Sequence, residues 1–430
     1  MLRRASLACA VASLVACSPE IPEDLGTLPE DVVQVAGHPL LGHLAAALPD
    51  GGAGLTLEDF LRTDQDYGEA PDPSPLFAAR REQHAALPPQ GPAEELRLLT
   101  YNTGLLGRWF LFFSVVMPEL ATRRRVLHDI VLDDGWDIVL LQEVWDLQDV
   151  DRLRAAAEAR GYLVYAGSEA HHEEHGLAIA VRADLVDADA PQEHAEHAYE
   201  QQRELEDFPG PGVLRGFLRW SFVHRATGVR VHLFNTHATS FPAFARTRDF
   251  QMRQLGRAIR SAPAEDVAFI GGDFNGGAYY PDDAFGVTEG ETVTGWWSNA
   301  AAYALLLHYG DAEDLRNAAA IPSDVADMDA VPAWSPDYFD RPFGDPAFCE
   351  RSPPVFLTGN DCNSLYFRSY AGTEYPGRID HLLMRDPQRR VRVQATEMVY
   401  VEPREFADGG RFELSDHYGV AATLTLARRQ

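Results

Sequence analysis

Six short polar motifs follow one another along the chain, and they carry side chains suited to a divalent metal, a phosphate and an activated water. They are Tyr101-Asn102, Gln142-Glu143, Thr236-His237, Gly272-Asp273-Phe274-Asn275, Arg378-Ile379-Asp380-His381 and Ser415-Asp416-His417. Each motif alone is a weak signal, because a polar turn after a strand has a similar composition. All of them in one chain predict a hydrolytic metal site.

Most of the motifs follow an apolar run that is typical of a buried strand. The runs before Asn102, Glu143, His237 and Asp273 cover 96–100, 137–141, 229–234 and 267–270. These strands alternate with helix-like segments at 122–132, 150–160 and 245–259. This alternation indicates an α/β fold, in which the strand ends bring the polar groups together at one edge of a sheet sandwich.

Three residues can be assigned from their chemistry. Glu143 is the first choice for a carboxylate ligand, with Asn102 beside it. Hard oxygen ligands select Mg²⁺ or a similar ion, and we expect Mn²⁺ or Co²⁺ to be able to substitute. His417 is the best candidate for a general base, because an imidazole titrates near neutral pH.

The order and wording of the motifs resemble the endonuclease/exonuclease/phosphatase superfamily over residues 95–428. The resemblance implies two packed mixed β-sheets flanked by helices, a four-layer, deoxyribonuclease-like α/β (α+β) sandwich. Residues 101–162 look most like the neutral sphingomyelinases, and Glu143-Val144-Trp145 followed by Gln148-Asp149 is the more specific part. One departure is Arg215-Gly216, which stands where those enzymes often have a lysine-glycine pair.

The resemblance also implies roles around the general base. Asp380 would hold His417 in the right tautomer, and Asp416 would lie near the metal and its water. The expected reaction is in-line hydrolysis of a phosphodiester by water, without a covalent enzyme intermediate. For a sphingomyelinase-C-like enzyme, the products would be ceramide and phosphocholine.

Three further residues would act on the water and the phosphate, by the same resemblance. Asp273 would orient or polarise the attacking water, and His237 and Asn275 would donate hydrogen bonds to the charge that develops on phosphorus. The metal would act as a Lewis acid and stabilise the leaving group.

The charge balance bears on the substrate. The formal net charge is −28, from 37 basic and 65 acidic side chains. Nucleic-acid binding normally needs a basic surface, because counterion release drives the affinity. We therefore expect a phospholipid or sphingolipid membrane substrate rather than nucleic acid. The sequence implies no protein partner, and we expect a monomer. The alternatives are an exported endonuclease or other phosphoesterase of the same superfamily, and a membrane-bound lipoprotein without activity.

The first 17 residues are typical of a bacterial export signal. Arg3 and Arg4 precede a short apolar core at 7–15, and Leu14-Val15-Ala16-Cys17 resembles a lipoprotein cleavage box. This predicts lipidation of Cys17 and a protein anchored in the cell envelope. The alternative is an ordinary secretory signal, in which Cys17 is incidental and the protein is secreted.

The 430 residues divide into unequal parts. Residues 18–93 form an acidic, proline-rich extension that buries little, and 94–430 form the catalytic domain. That domain contains a long irregular insertion at 278–376, with a helix-like segment at 298–309. In an exported protein, Cys349 and Cys362 are expected to form a disulfide.

Two segments near the motifs have unusual compositions. Residues 105–118 are expected to form a loop whose Trp109, Phe110, Phe112 and Phe113 enter a lipid surface. The alternative is a helix that packs against the core or against the insertion at 278–376. Residues 171–175 contain the H-x-x-E-H pattern of some zinc peptidases. A polar loop is expected there instead, because Gly176 and a β-like run follow at once.

Overall fold

The computed structural model describes residues 91–110, 113–169, 171–200, 214–240, 245–276, 295–318, 358–359, 362–370 and 378–428. Its strands are β1 (Ala93–Asn102), β2 (Gly107–Phe110), β3 (Phe113–Val116), β4 (Ile138–Gln142), β5 (Tyr162–Tyr165), β6 (Ala178–Arg182), β7 (Glu193–Ala198), β8 (Gly216–Val223), β9 (Arg230–His237), β10 (Val267–Asp273), β11 (Glu313–Asp314), β12 (Asp380–Arg385), β13 (Val391–Val399), β14 (Arg404–Glu405), β15 (Arg411–Phe412) and β16 (Gly419–Ala427). Its helices are α1 (Leu120–Arg123), α2 (Leu127–Asp133), α3 (Leu147–Ala159), α4 (His172–His175), α5 (Ala245–Arg260), α6 (Gly295–Gly310), α7 (Leu315–Ala318) and α8 (Ser364–Tyr370).

Two six-stranded sheets form the centre of the molecule. The first has the strand order β13-β16-β1-β4-β6-β5, and the second has the order β11-β12-β10-β9-β8-β7. Both are mixed, because β1 and β4 pair in parallel in the first sheet and β9 and β10 in the second, while their other pairs are antiparallel. The expected sandwich of two mixed sheets with flanking helices is confirmed.

The central strands are apolar on both faces, which explains their unbroken hydrophobic runs. In β1, Leu96 and Leu98 belong to the core between the two sheets. Leu99 and Tyr101, on the other face, belong to a second core that includes residues of α2 and α3. The central strand β1 is therefore buried on both faces, and polar groups that meet a substrate lie at its end.

The strand register brings the motif residues to one end of each sheet. In the first sheet, Asn102 at the end of β1 pairs with Gln142 at the end of β4. In the second sheet, Asp273 pairs with His237 on one side and with Asp380 on the other.

Residues 105–118 form neither the expected loop nor the alternative helix. β2 and β3 pair as an antiparallel hairpin, in which Gly107 faces Val116 and Phe110 faces Phe113. Aromatic and β-branched residues favour strands over helices, which accounts for the difference. Phe112 lies outside the described residues, and the lipid contact remains a prediction.

Two helix predictions need correction. Residues 122–132 are not one helix, because a turn at 124–126 separates α1 from α2. Residues 171–175 are not a loop, since α4 is a single helical turn. Gly176 ends it in the left-handed conformation, with φ 63° and its N–H bonded to His172 O, so the glycine terminates a short helix rather than preventing one.

Several predictions fall wholly or partly outside the described residues. These are the signal at 1–17 with Cys17, the extension at 18–93 and most of the insertion at 278–376. Within the insertion, α6 confirms the helix expected at 298–309. Cys362 is disulfide-bonded, while Cys349 lies outside the described part. None of the described helices is long and apolar enough to span a membrane.

Candidate active site

Asn102 connects the two sheets at the centre of the site. Its Nδ2 donates to Asp273 Oδ2 at 2.9 Å and lies 3.3 Å from Glu143 Oε1. Glu143 follows β4 in a left-handed conformation with φ 59°, which non-glycine residues rarely adopt and which is common at functional sites. The turn thus directs a carboxylate toward an amide that the neighbouring strand supplies.

A histidine–aspartate pair lies on the other side of Asp273. His417 Nδ1 is 2.8 Å from Asp380 Oδ2, and His417 Nε2 is 3.9 Å from Asp273 Oδ2. Because Asp380 accepts a hydrogen bond at Nδ1, the neutral ring carries its proton there and leaves Nε2 as a proton acceptor. All three side chains are buried.

Thr358 and Gly359 hold this pair in place. Thr358 Oγ1 accepts the backbone N–H of Asp380 at 3.0 Å, and Thr358 O accepts that of Tyr418 at 2.9 Å. Gly359 forms a bridge with His417. Neither residue could be assigned a role from the sequence, because both lie outside the six motifs, in a segment that resembles a family loop only loosely.

His237 and Asn275 complete the polar ring around Asp273. His237 Nε2 lies 3.4 Å from Asp273 Oδ2. The backbone N–H of Asn275 donates to Asp273 Oδ1 at 2.9 Å, and Asn275 Nδ2 donates to Ala238 O at 3.0 Å. His237 Nδ1 is buried and has no hydrogen-bond partner within the described part of the chain. It is therefore available to form a hydrogen bond with a bound ligand.

Asp416 lies behind Asn102. Ser415 Oγ donates to Asn102 O at 2.8 Å and is 3.1 Å from Asp416 Oδ1. Gly104 closes this corner with φ 55°, and a Cβ there would lie 2.1 Å from Asp416 Oδ1. Only glycine allows the backbone to approach the carboxylate so closely.

Burial and neighbouring charges shift the ionisation of these groups. Burial and the nearby Asp380 raise the pKa of Asp273 to about 8. Burial and then Asp416 raise the pKa of Glu143. For His417 burial acts in the opposite direction, but Asp380 and its other acidic neighbours outweigh it and raise the pKa well above the usual value.

The charge of Arg215 contributes to the pKa values of two groups in the site, His237 and Glu143. Burial, and then the Arg215 guanidinium, lower the pKa of His237 well below its ordinary value. The same arginine lowers the pKa of Glu143, against the effect of burial. The charge of Arg215 therefore acts on both His237 and Glu143. A neutral His237 can donate a hydrogen bond without adding charge.

The donor set fits a hard divalent cation. Glu143 and Asp416 supply carboxylate oxygens of the kind that Mg²⁺ prefers. The amide oxygen of Asn102, which accepts the backbone N–H of Gly104 at 3.0 Å, is the third oxygen of this set. Asp380 Oδ1 is buried without a hydrogen-bond partner among the described residues. Gly104 has no side chain to clash with Asp416 Oδ1, which leaves that carboxylate oxygen sterically unobstructed on this side.

A second donor set overlaps the first. Asp273, Asp380 and His417 offer ligand atoms that all lie within 4.8 Å of one another. We favour the set around Glu143, because Asp380 already uses Oδ2 to bind His417 Nδ1. A cation between those two atoms would break the contact that orients the imidazole.

Arg123 stabilises the backbone next to the site. In the sequence it could be recognised only as part of a basic helix start. Its guanidinium donates to Thr103 O at 2.8 Å, to Gly104 O at 2.6 Å and to Leu414 O at 3.3 Å. Its side chain is fully buried. One residue therefore ties the turn after β1 to the segment that carries Asp416 and His417.

Gln142 also has a structural role rather than a catalytic one. Its Nε2 donates to Asn235 Oδ1 of β9 at 2.7 Å, and Asn235 Nδ2 donates to Leu141 O at 2.7 Å. These buried amides join the two sheets directly beneath the site. The Gln142-Glu143 motif thus contributes one sheet-to-sheet contact and one candidate ligand.

One connected network contains every residue predicted to bind the metal or take part in catalysis. These residues are Asn102, Glu143, His237, Asp273, Asn275, Asp380, Asp416 and His417. For Trp109, Phe110 and Phe113 the structure describes the backbone only, so their membrane role stays a prediction. The network combines a base, a polarising carboxylate, neutral donors and a metal-ligand set, which suits hydrolysis of a phosphate ester.

Several solved structures are similar to the chain, all at low sequence identity. D. rerio TDP2 complexed with single-strand DNA product is 17% identical with a TM-score of 0.49, and the match covers 77% of this chain and 99% of that one. An endonuclease/exonuclease/phosphatase family protein from Bacteroides thetaiotaomicron is 16% identical, with TM-score 0.47 and coverages of 79% and 100%. SmcL is 15% identical, with TM-score 0.46 and coverages of 77% and 99%. No curated protein matches the chain.

The sequence model of the Endonuclease/Exonuclease/phosphatase family matches residues 99–417. The match covers well over half of the 430 residues, and it extends from the strand that ends in Asn102 to the histidine of the histidine–aspartate pair. By this match, the chain belongs to the endonuclease/exonuclease/phosphatase family.

Proposed function

We propose that the protein is a Mg²⁺-dependent phosphodiesterase of the sphingomyelinase-C type. The observation that supports this chemistry is the contact between His417 and Asp380. His417 Nε2 lies 3.9 Å from Asp273 Oδ2, and Asp273 in turn contacts Asn102, which contacts Glu143. Members of the family are typically phosphodiester hydrolases that use divalent metals. Mg²⁺ as the ion and sphingomyelin as the lipid are what we propose for this protein.

His417 acts as the general base. Its Nε2 takes a proton from the attacking water, while Asp380 holds Nδ1–H and stabilises the imidazolium that forms. Asp273 lies between this imidazole and Asn102, where its carboxylate orients the water. These residues turn a weak nucleophile into one that is aligned for attack on phosphorus.

Neutral donors stabilise the charge that develops on phosphorus. His237 has a buried, unpartnered Nδ1 among the described residues, and Asn275 Nδ2 carries two hydrogens of which Ala238 O accepts one. Donors that are fixed before the reaction stabilise the transition state without reorganisation.

Glu143 and Asn102 would hold the ion. Asp416, which is connected to Asn102 through Ser415, would be the third ligand. When bound, the ion supplies a Lewis acid that draws charge from the phosphoryl oxygens and the leaving group. A cation beside Glu143 and Asp273 also favours their ionised forms, which burial alone disfavours.

Three features support sphingomyelin as the substrate. The sequence of 101–162 resembles neutral sphingomyelinases, and the net charge of −28 disfavours a polyanion. The β2–β3 hairpin, which carries Trp109, Phe110 and Phe113, follows directly after the strand that ends in Asn102. We propose that this hairpin contacts the lipid surface, that the protein acts as a monomer, and that export with lipidation at Cys17 brings it there.

A hydrolysis assay on several substrates tests the proposal. Sphingomyelin, phosphatidylcholine, a phosphoinositide and DNA are incubated with the purified protein and Mg²⁺, with EDTA and with EDTA followed by excess Mg²⁺. Release of phosphocholine from sphingomyelin, stopped by EDTA and restored by Mg²⁺, supports it. Faster cleavage of DNA or of a phosphoinositide assigns the protein to another branch of the family, and no turnover on any substrate favours an inactive lipoprotein.

A further inference from the structure

A cavity of about 360 Å³ adjoins the candidate active site at the same end of the second sheet. Its lining includes His175, Glu196, His197, Leu214, Gly216 and Phe217. Gly216 pairs with His237 across β8 and β9, so the cavity opens beside a candidate catalytic residue. Adjacent strands are about 4.8 Å apart, which puts β7 and its Glu196 roughly 10 Å from His237.

The cavity carries a fixed negative charge. Glu196 Oε2 accepts the backbone N–H of Ser168 at 2.8 Å. His175 Nδ1 accepts the N–H of Leu177 at 2.9 Å, so its Nε2 bears the hydrogen and faces Glu196 Oε1 at 3.5 Å. The nearby ring N–H of His175, together with the backbone N–H of Ser168, lowers the pKa of Glu196 to about 2. The carboxylate is therefore ionised at neutral pH, and its side chain is 24% exposed.

The remaining walls are apolar and aromatic. The rings of His197 and Phe217 stack with centroids 4.7 Å apart, and Leu214 is partly exposed at the rim. Gly216 allows the backbones of β8 and β7 to lie close together at the cavity wall, because a Cβ there would lie 2.2 Å from His197 O. An anionic carboxylate amid aromatic and aliphatic surfaces is the environment that accommodates an alkylated ammonium group.

The strand connections link this cavity to the phosphate side of the site. The backbone N–H of Tyr199, at the end of β7, donates to Arg215 O at 2.9 Å. Arg215 acts electrostatically on Glu143 and His237. A cationic group near Arg215 would meet repulsion, whereas the same group near Glu196 would meet attraction. The Arg215 guanidinium donates to Ser240 Oγ at 3.2 Å. A zwitterion suits this pair of charges, and its phosphate would lie toward Arg215 and its cation toward Glu196.

We propose that this cavity binds the quaternary ammonium end of the substrate head group, with Glu196 as the residue that selects for positive charge. The inference rests on the proposed phosphodiesterase function and deepens it by naming the cavity and the residue that would select the head group. A metal does not explain the cavity, since Asp273, Asp380 and His417 are the described residues whose ligand atoms cluster closely enough. An anionic head group would be repelled by Glu196.

Choline binding provides a test that is independent of turnover. Choline is titrated by calorimetry into the wild-type protein, Glu196→Gln and Glu193→Gln, which changes an exposed carboxylate on the same strand. Wild type and Glu193→Gln should bind choline with the same affinity, and Glu196→Gln should bind at least tenfold more weakly. Glutamine keeps an acceptor for Ser168, so the local fold is retained. No binding by wild type, or equal binding by Glu196→Gln, would overturn the proposal.

Kinetics then tests the selectivity. The three proteins are assayed on sphingomyelin and on a ceramide phosphodiester with a neutral glycerol head group, in the same mixed micelles. Glu196→Gln should lower kcat/KM at least tenfold for sphingomyelin and leave the glycerol substrate unchanged. Equal loss on both substrates would overturn the selective role of Glu196. If wild type binds choline but cleaves neither lipid, the proposed function fails while the cavity assignment stands.

Discussion

His417 Nδ1 and Asp380 Oδ2 are 2.8 Å apart, although the two residues come from different sheets. Asp380 begins β12 in the second sheet, and His417 lies just before β16 in the first. The orientation of the candidate base therefore depends on correct packing of the whole sandwich. A defect between the sheets would alter the base without changing any residue of the site.

Replacing Asp380 with asparagine should lower kcat by roughly 10²–10⁴-fold, the usual contribution of general acid–base catalysis. The amide favours the wrong imidazole tautomer and cannot stabilise the imidazolium. Steady-state kinetics measures the loss, and circular dichroism checks the fold. Since the pair acts as one unit, adding His417→Ala to Asp380→Asn should cost little more. A kcat within twofold of wild type would exclude the proposed pairing.

The same substitution should move the pH profile in a defined direction. The base is active only when neutral, so kcat/KM should rise with pH through the pKa of His417. Burial lowers that pKa but Asp380 and other acidic neighbours raise it further; without Asp380 it should fall. We expect the acidic limb of the kcat/KM profile to shift to lower pH in Asp380→Asn. An unshifted limb would show that another group limits the rate.

Metal binding should separate the two possible ligand sets. Glu143→Gln should weaken Mn²⁺ binding at least tenfold in a calorimetric or electron-paramagnetic-resonance titration, because it removes the charged ligand beside Asn102. His417→Ala should retain the affinity, since its ring serves the proton transfer. Loss of Mn²⁺ binding in His417→Ala with retention in Glu143→Gln would instead favour the cluster of Asp273, Asp380 and His417.

Arg123→Met should destabilise the protein by about 3 kcal/mol or more, because each buried acceptor that loses its donor costs about 1–3 kcal/mol. The buried carbonyls of Thr103, Gly104 and Leu414 would lose their donor. Arg125→Met is the matched control, because Arg125 is exposed, and should change stability by less than about 0.5 kcal/mol. Urea unfolding of both variants gives the comparison; similar midpoints would refute the structural role of Arg123.

His128 should make the fold sensitive to mild acid. Burial, and then Arg152, lower its pKa to about 4, while the unfolded chain takes up the proton near pH 6.5. Its contribution is therefore complete above about pH 6.5 and declines as the pH falls toward 4, by about 3 kcal/mol in all. Urea unfolding at several pH values should show a shallower decline for His128→Leu. Parallel curves for the two proteins would contradict this origin.

The β2–β3 hairpin should be needed on bilayers but not in solution. Changing Trp109 and Phe113 together to serine should weaken liposome binding, because each buried aromatic contributes roughly 1.5–3 kcal/mol. Hydrolysis of lipid in vesicles should fall with binding, whereas hydrolysis of a soluble aryl phosphodiester should not change. Vesicle flotation and the two assays measure this. Equal loss on both substrates would indicate that the hairpin supports the fold.

Much of the candidate site could be predicted from sequence, because strand ends are local features. The apolar runs before Asn102, Glu143, His237 and Asp273 could be recognised directly, and pairing rules bring neighbouring strand ends to one edge. The β2–β3 hairpin was missed, because a short apolar run does not distinguish a strand from a loop or a helix. The single turn of α4 depends on a glycine cap that the pattern left ambiguous.

The sequence by itself determined the types of catalytic group, their order and the α/β sandwich that carries them. Tertiary structure alone decided which groups meet: Asn102 with Asp273 across 171 residues, and Arg123 with Leu414 across 291. It also decided that Gln142 supports the sheets and that Glu196 faces a cavity. Local patterns specify strands and turns, whereas contacts between distant residues and the pKa shifts they cause exist only after the two sheets have packed.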